Sequence, residues 1–453
     1  MASTATKPLG RPPGPKGRPV VGNIFEFRRD ILGTMIAGWR EFGDVVQFNV
    51  GGAAYLIVHP DHLQYVLRER SDNFPKAPFQ DQRWRKIVGE GIVTSKGDFW
   101  ARQRRLADPA FHQDRIAEFG TIMTDATDEM LAEWDSADKS EPLDIRDEMM
   151  RLTLTILARA MFSADVWRDA RTIGDAVGIM LTHANNRLFS PIDPPEKLPL
   201  PSHRRYLSAR DKFDAVIYRM IDERRAGEPK NDLLTMFIEA RDAETGEQMD
   251  NVQVRDEVRT MFVAGHETTA VALTWTFYLL SQNPDVLERL VQEIDEVVGD
   301  RIPTVDDLPQ LTYEWRVIQE SLRLYPAIWV FLRAAIEDDE VGGYRIKKGK
   351  NLFISTYITH RHPEFWDDPE RFDPDRFEPH RTADWHRFKY VPFGGGPRKC
   401  IGNTFAIVEM QLCLARILQR YRLNAVPGFP VDFEPGLSLR QKHGMQMMLE
   451  PTT

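Results

Sequence analysis

The stretch between Asp250 and Pro284 constrains the fold more than any other part of this chain. Asp250 is a good helix N-cap, and the Asn283-Pro284 step is a good stop. Between them the spacing predicts a helix of about 30 residues, which at the usual rise is roughly 45 Å long. Its second half, 270–280, is apolar nearly all round, which predicts burial. A helix of that length crosses a whole domain and passes over whatever sits at the centre. Most of the remaining chain also has helical period. Two hairpins are expected beside it: Val46–Val50 with Tyr55–Val58, turned at Gly51-Gly52, and Tyr344–Ile346 with Leu352–Ile354, turned at Lys348-Gly349-Lys350. The fold class is therefore mainly α with small β-sheets.

At 453 residues the chain exceeds the usual size of one domain, yet it has no linker, repeat or low-complexity tract. One large domain over 1–453 is expected, opening with a proline-rich segment at 1–23. The proline-studded stretch 188–202 reads equally as a surface loop or as a lid over a pocket. A formal net charge of −9 argues against nucleic acid as a partner. No apolar run approaches the roughly 18 residues of a membrane span, so no transmembrane anchor is expected. Two cysteines with no evident pairing role fit a reducing, cytoplasmic setting.

Those two cysteines differ sharply. Cys413 lies in Leu412-Cys413-Leu414-Ala415, on the apolar face of a helix, and reads as a small buried hydrophobe. Cys400 ends the run Phe393-Gly394-Gly395-Gly396-Pro397-Arg398-Lys399-Cys400 and is followed by Ile401-Gly402 and a helical stretch. Cations and a helix N-terminus both favour a thiolate. Glycines let backbone approach something large and flat. An axial thiolate on a haem iron needs that combination.

On the central helix, Ala264-Gly265-His266-Glu267-Thr268-Thr269 places a small residue and a hydroxyl four apart on one face, with an acid beside them. Alone, this reads as a buried threonine bonding back to the i−4 carbonyl. Beside Cys400 it reads as a place where a small ligand such as dioxygen lies against the helix. Glu320 and Arg323, three apart with apolar flanks, read as a buried structural ion pair.

These motifs together resemble the cytochrome P450 family of haem-thiolate monooxygenases. The family's Phe-x-x-Gly-x-Arg-x-Cys-x-Gly pattern matches at Phe393, Gly396, Arg398, Cys400 and Gly402. Its Glu-x-x-Arg pair matches at Glu320 and Arg323, and its Phe-x-Pro-x-Arg-Phe signature at 372–377. The oxygen motif matches at 264–269 and a Trp-x-x-x-Arg pair at Trp100 and Arg104. All five occur in the family's order, so the resemblance covers essentially the whole chain.

The resemblance implies the P450 fold, with haem b between the long central helix and the cysteine loop at 393–402. It implies Cys400 as the iron ligand and Phe393, Ala264 and Gly402 beside the haem. Trp100, Arg104, Arg333 and Arg398 are implied as partners of the haem propionates, and Glu320, Arg323 and Arg376 as a structural network. Glu267 and Thr268 are implied as the proton-delivering pair. The implied activity is hydroxylation of a lipophilic small molecule with O2, a fatty acid, terpenoid or steroid. The alternative is a peroxide-driven or isomerising haem-thiolate enzyme, whose known forms usually lack the acid–alcohol pair. With only 11 residues before Pro12 and about 50 after Cys400, a soluble, bacterial-type, monomeric member is expected. Its electrons would then come from a separate ferredoxin or flavodoxin with its NAD(P)H reductase. Arg102, Arg105 and Lys399 are candidates for docking that partner. Phe79, Trp84, Ile87, Val88, Phe262, Ile328, Trp329 and Phe331 are the candidate substrate pocket, an apolar set that suits a hydrophobic substrate. Arg83 and Arg85 read as solvated loop arginines rather than as an anchor for a substrate carboxylate.

Overall fold

The computed structural model describes residues 10–163, 170–188, 194, 195, 198 and 200–452. Most of the stretch 188–202 therefore lies outside the described residues. The chain groups into two compact units, each assembled from separated segments. The first takes the chain up to Asp81, Leu322–Arg371 and Arg376–Cys400; the second takes Gln82–Ser321, Phe372–Asp375 and the chain from Ile401 on.

The first unit is built on a four-stranded sheet in the spatial order Val45–Asn49, Ala53–Ile57, Asn351–Ile354, Phe331–Ala334. The first two strands form the expected hairpin, with Val45 opposite Ile57 and a turn at Gly51-Gly52, both at positive φ. The second expected hairpin does not form. Tyr344–Ile346 pairs instead with Asp339–Val341. Gly342 and Gly343 both hold positive φ, the geometry a two-residue hairpin turn requires. Leu352, Phe353 and Ile354 are buried, and their strand runs parallel to Ala53–Ile57 and antiparallel to Phe331–Ala334. Burying that strand from both sides outweighs pairing it with its sequence neighbour. The core beneath the sheet gathers Tyr55, Ile57, Val66, Phe74, Leu352 and Ile354, and reaches Phe388 and Val391, where the cysteine loop begins.

The second unit is organised by the central helix, Asn251–Gln282. Asp250 accepts a bond from the Gln253 backbone while the Gln253 side chain accepts one from the Asp250 backbone, a complete capping box. Every residue from Thr269 to Phe277 is buried, as the sequence pattern requires. The helix packs on Ile145–Phe162, and at Gly265 the approach is close: a Cβ there would stand 3.2 Å from Leu157 Cδ2. A mid-helix glycine costs roughly 1 kcal/mol against alanine, and this approach is what the cost secures. Near its start, Asp256 and Glu257 accept the backbone N–H groups of Glu90 and Ile92, at 2.8 and 2.9 Å.

Burial leaves this unit with glutamates that resist ionisation. Glu257 and Glu409 are each pushed up to about 8, and Glu314 well above its ordinary range, chiefly by desolvation. The folded protein therefore holds protons that the unfolded chain has released. Their stabilisation is complete below the ordinary glutamate range and is lost as pH rises from there to about 8. Urea midpoints should fall between about pH 5 and about pH 8, and Glu257→Gln, which keeps an acceptor for Ile92, should flatten that fall. A pH-independent midpoint would contradict the assignment.

Candidate active site

The cysteine loop in the first unit is fixed by backbone contacts that tolerate only glycine. Gly396 holds φ at +69°, and a Cβ there would sit inside the Leu67 carbonyl oxygen. At Gly395 a Cβ would stand 2.5 Å from the Phe388 ring, and at Gly394, also at positive φ, 3.3 Å from Phe331. The loop closes with the Cys400 N–H donating to the Phe393 carbonyl, 3.0 Å away. Val391, where the loop starts, donates its N–H to His360 Nε2 at 2.9 Å. Burial holds His360 neutral, well below the usual histidine range.

The two cysteines separate as their sequence contexts suggest. Cys413 is fully buried within Asn403–Arg420, accepts from the Thr127 hydroxyl at 3.4 Å, and has its thiol pushed up by burial. Cys400 is exposed, and neither is in a disulfide. Cys400 stands just before that helix, whose N-cap, Gly402, offers no side-chain cap. Unlike Gly396, Gly402 has ordinary φ, and a Cβ there would meet only the Phe111 ring at 4.0 Å. The protein's own packing does not need a glycine at 402.

Arg333 lies on the strand Phe331–Ala334 and is buried. Among the described residues its guanidinium donates only to the Leu332 carbonyl, at 3.0 Å, and no carboxylate pairs with it. Burial lowers it to about 10; Arg398 is lowered to about 10 by burial and then by the charge of Arg333. Two desolvated cations close together call for an anionic ligand. With an accessible thiol and a backbone cradle on the same loop, this donor set fits a haem with its propionates. Phe393 is half-buried, and Phe331 packs on Gly394.

In the second unit, Ala264 is exposed and Gly265 and Thr268 are half-buried, a bare face on a helix otherwise enclosed. The Thr268 hydroxyl donates to the Ala264 carbonyl at 2.9 Å. Glu267 points away from it: its Oε1 accepts from Ser438 Oγ at 2.8 Å, and burial raises its carboxyl. Trp100 and Arg104 lie one turn apart on Gly97–Ala107, half-buried, with Arg104 3.5 Å from Asp108.

Glu320 and Arg323 are both fully buried on Thr312–Leu324. Glu320 accepts the Asp373 N–H at 2.9 Å. Arg323 donates to the carbonyls of His360, Pro369 and Arg371 and lies over the Trp366 ring. Arg376 donates to the Asp368 carbonyl at 2.8 Å. The stretch after His360 is thus threaded over charged side chains through its backbone.

Of the candidate pocket residues, Trp84 is half-buried while Ile87 and Val88 are buried on the helix Pro78–Val88. The side chain of Phe79 lies outside the described ones. Phe262 is fully buried between Phe162, stacked at 5.5 Å, and Phe213, edge-on at 5.3 Å. Trp329 is buried and its carbonyl accepts from Ser355; Ile328 and Phe331 are half-buried.

Four arginines differ from expectation. Arg83 and Arg85 sit half-buried on a helix rather than in a loop, donating to the carbonyls of Arg187 and Thr94, and Arg85 also pairs with Glu90. Arg102 pairs with Glu247, and Arg105 with Asp242 and Glu244, so their charge is locally neutralised. Sequence reasoning missed Ser438 and also Glu409, whose carboxyl is hydrogen-bonded to Thr269. Both bonds join positions more than a hundred residues apart, which no local spacing reveals.

Comparison with known proteins gives one consistent result. The family model for Cytochrome P450 matches residues 12–447. The cyclooctatin synthase of Streptomyces melanosporofaciens is 37% identical over 429 residues, 94% of this chain and 92% of that protein. The cyclooctat-9-en-7-ol 5-monooxygenase of the same organism is 37% identical over 413 residues, 88% of each. A solved cyanobacterial structure with retinoic acid bound superposes with a TM-score of 0.88 at 26% identity, covering 98% of this chain and all of that one.

The two glycines make a paired prediction. Gly396→Ala should destabilise the protein before any cofactor binds, by more than about 2 kcal/mol, from the clash and the left-handed backbone. Gly402→Ala should leave apoprotein stability unchanged and weaken haem uptake. Denaturation of the apoproteins and haem titration separate the two; equal behaviour would refute the distinction.

Proposed function

The chain belongs to the cytochrome P450 family, haem b monooxygenases that insert one atom of O2 into their substrates, and we propose that it hydroxylates a terpenoid with Cys400 as the iron's ligand. The observation that carries the hydroxylation reading is the exposed Ala264 and half-buried Thr268 between the buried stretches 256–263 and 269–277 of the helix, with an acid beside them. Support for the substrate class comes from relatives. One is named for oxidising the ring alcohol cyclooctat-9-en-7-ol, and one structure holds retinoic acid, an isoprenoid. Among the described residues no helix is long and apolar enough to cross a membrane.

Haem held by a thiolate supplies the O–O cleavage and the C–H oxidation. The remaining tasks fall to the chain. Cys400 would hold the iron through its sulfur, on a loop closed by its own N–H donating to the Phe393 carbonyl. Arg333 and Arg398 would bind the propionates, as guanidinium groups suited to carboxylates. Thr268 holds its hydroxyl against the Ala264 carbonyl, on the face where it would be available to donate a hydrogen bond to substrate dioxygen. Glu267, whose carboxyl burial raises from its ordinary range, would relay the proton that follows. Electrons arrive from a separate ferredoxin or flavodoxin. Because Arg102 and Arg105 are already ion-paired, that docking should depend only weakly on salt at those two positions.

Two measurements test this reading. Titrating the ferric protein with cyclooctat-9-en-7-ol, retinoic acid, a fatty acid and a steroid should move the Soret band to its high-spin position with the isoprenoids. A shift with the fatty acid alone would replace the proposed class. Thr268→Ala should keep haem and its thiolate spectrum while diverting most reducing equivalents to hydrogen peroxide; unchanged coupling would remove Thr268 from the proton path.

A further inference from the structure

Glu267 is the acid of the oxygen motif, yet its one hydrogen bond among the described residues is not to Thr268. Its Oε1 accepts from Ser438 Oγ at 2.8 Å, and its Oε2 is buried without a partner. Ser438 is itself completely buried. It stands just before a short strand, Leu439–Gln441, that is hydrogen-bonded to the central helix. Ser438 meets Glu267, Gln441 Nε2 donates to the Val271 carbonyl at 3.3 Å, and Trp275 Nε1 donates to the Leu439 carbonyl at 2.8 Å. The three helix positions are spaced four apart, so they share one face.

The turn before this strand is anchored from the other side. Asn185, on the helix Ala170–Leu188, accepts the Leu437 N–H at 2.7 Å. Gly436 has no room for a side chain, since a Cβ would stand 2.7 Å from the same Asn185 oxygen. The Gly436 N–H donates to the Ser438 carbonyl at 3.0 Å. Residues 436–438 are thus held by both helices, through Asn185 on one and Glu267 on the other.

We infer that Ser438 is a positioning residue for the acid Glu267: it fixes where the carboxyl rests and from which direction it passes a proton toward Thr268. The inference rests on the relay role proposed above for Glu267. The serine touches neither substrate nor cofactor in this account; it acts through the glutamate. Without its hydroxyl, a carboxyl that already carries one partnerless oxygen would have two and would have to move.

The test uses the holoenzyme, reduced through a surrogate ferredoxin and its reductase, with no organic substrate. Dioxygen is then reduced to hydrogen peroxide with two electrons and two protons, or to two waters with four of each. The peroxide-to-water ratio reports proton delivery. Wild type, Ser438→Ala, Glu267→Gln and the double variant are compared, with haem content and the ferrous carbon monoxide spectrum as checks on folding. Ser438→Ala should raise the ratio roughly tenfold, the scale set by one hydrogen bond to an acid group. Glu267→Gln should raise it at least as far, and the double variant should match Glu267→Gln alone.

A wild-type ratio in Ser438→Ala, with Glu267→Gln impaired, overturns this inference and spares the relay. An equal effect of Ser438→Ala in both backgrounds also overturns it, because the serine then acts by packing. A wild-type ratio in Glu267→Gln removes the relay and this inference together.

Discussion

A guanidinium taken out of water must be met by an anion, or the fold carries its desolvation cost unreturned. Arg333 is buried on a sheet strand, with only a neighbouring carbonyl as its hydrogen-bond partner among the described residues, and its positive field falls on Arg398. A ligand with carboxylates on one edge and a metal that takes a thiolate resolves this, and haem is such a ligand. The cysteine loop on the same unit carries the proposed ligand, and Gly396 there sets how the loop lies on the Leu67 backbone rather than simply lending flexibility. Gly396 serves the protein's own packing; Gly402 has space around it that the protein leaves unused.

The central helix answers a different demand. It is buried for most of its length, so each polar group along it must be satisfied locally or by a specific neighbour. Thr268, Thr269, Thr274 and Thr276 all bond back to carbonyls one turn earlier. Glu267, unlike these threonines, reaches outward, to a serine just before the strand Leu439–Gln441. A threonine bonded to its own helix and an acid held by another element are two proton-bearing groups under separate control. That separation suits a site where one group must move without the other.

Much of this was legible in the sequence because it is local. The start and stop of the central helix follow from Asp250 and from Asn283-Pro284, and the first hairpin from Gly51-Gly52. Cys400 and Cys413 could be told apart by their neighbours alone. What stayed hidden is non-local. Leu352–Ile354 joins a strand nearly three hundred residues upstream instead of the segment just before it, because a central position buries both its edges. Arg83 and Arg85 are spoken for by backbone carbonyls that their spacing does not announce. Ser438 has nothing around it in sequence that points to an acid far away on the central helix.

The central claim is that Cys400, not Cys413, provides the thiolate. The most direct measurement is the ferrous carbon monoxide spectrum of the wild type, Cys400→Ser and Cys413→Ser at matched haem content. The long-wavelength thiolate band should be present in the wild type and in Cys413→Ser, and lost in Cys400→Ser. A thiolate band that survives in Cys400→Ser, or vanishes in Cys413→Ser with haem still bound, would contradict the account.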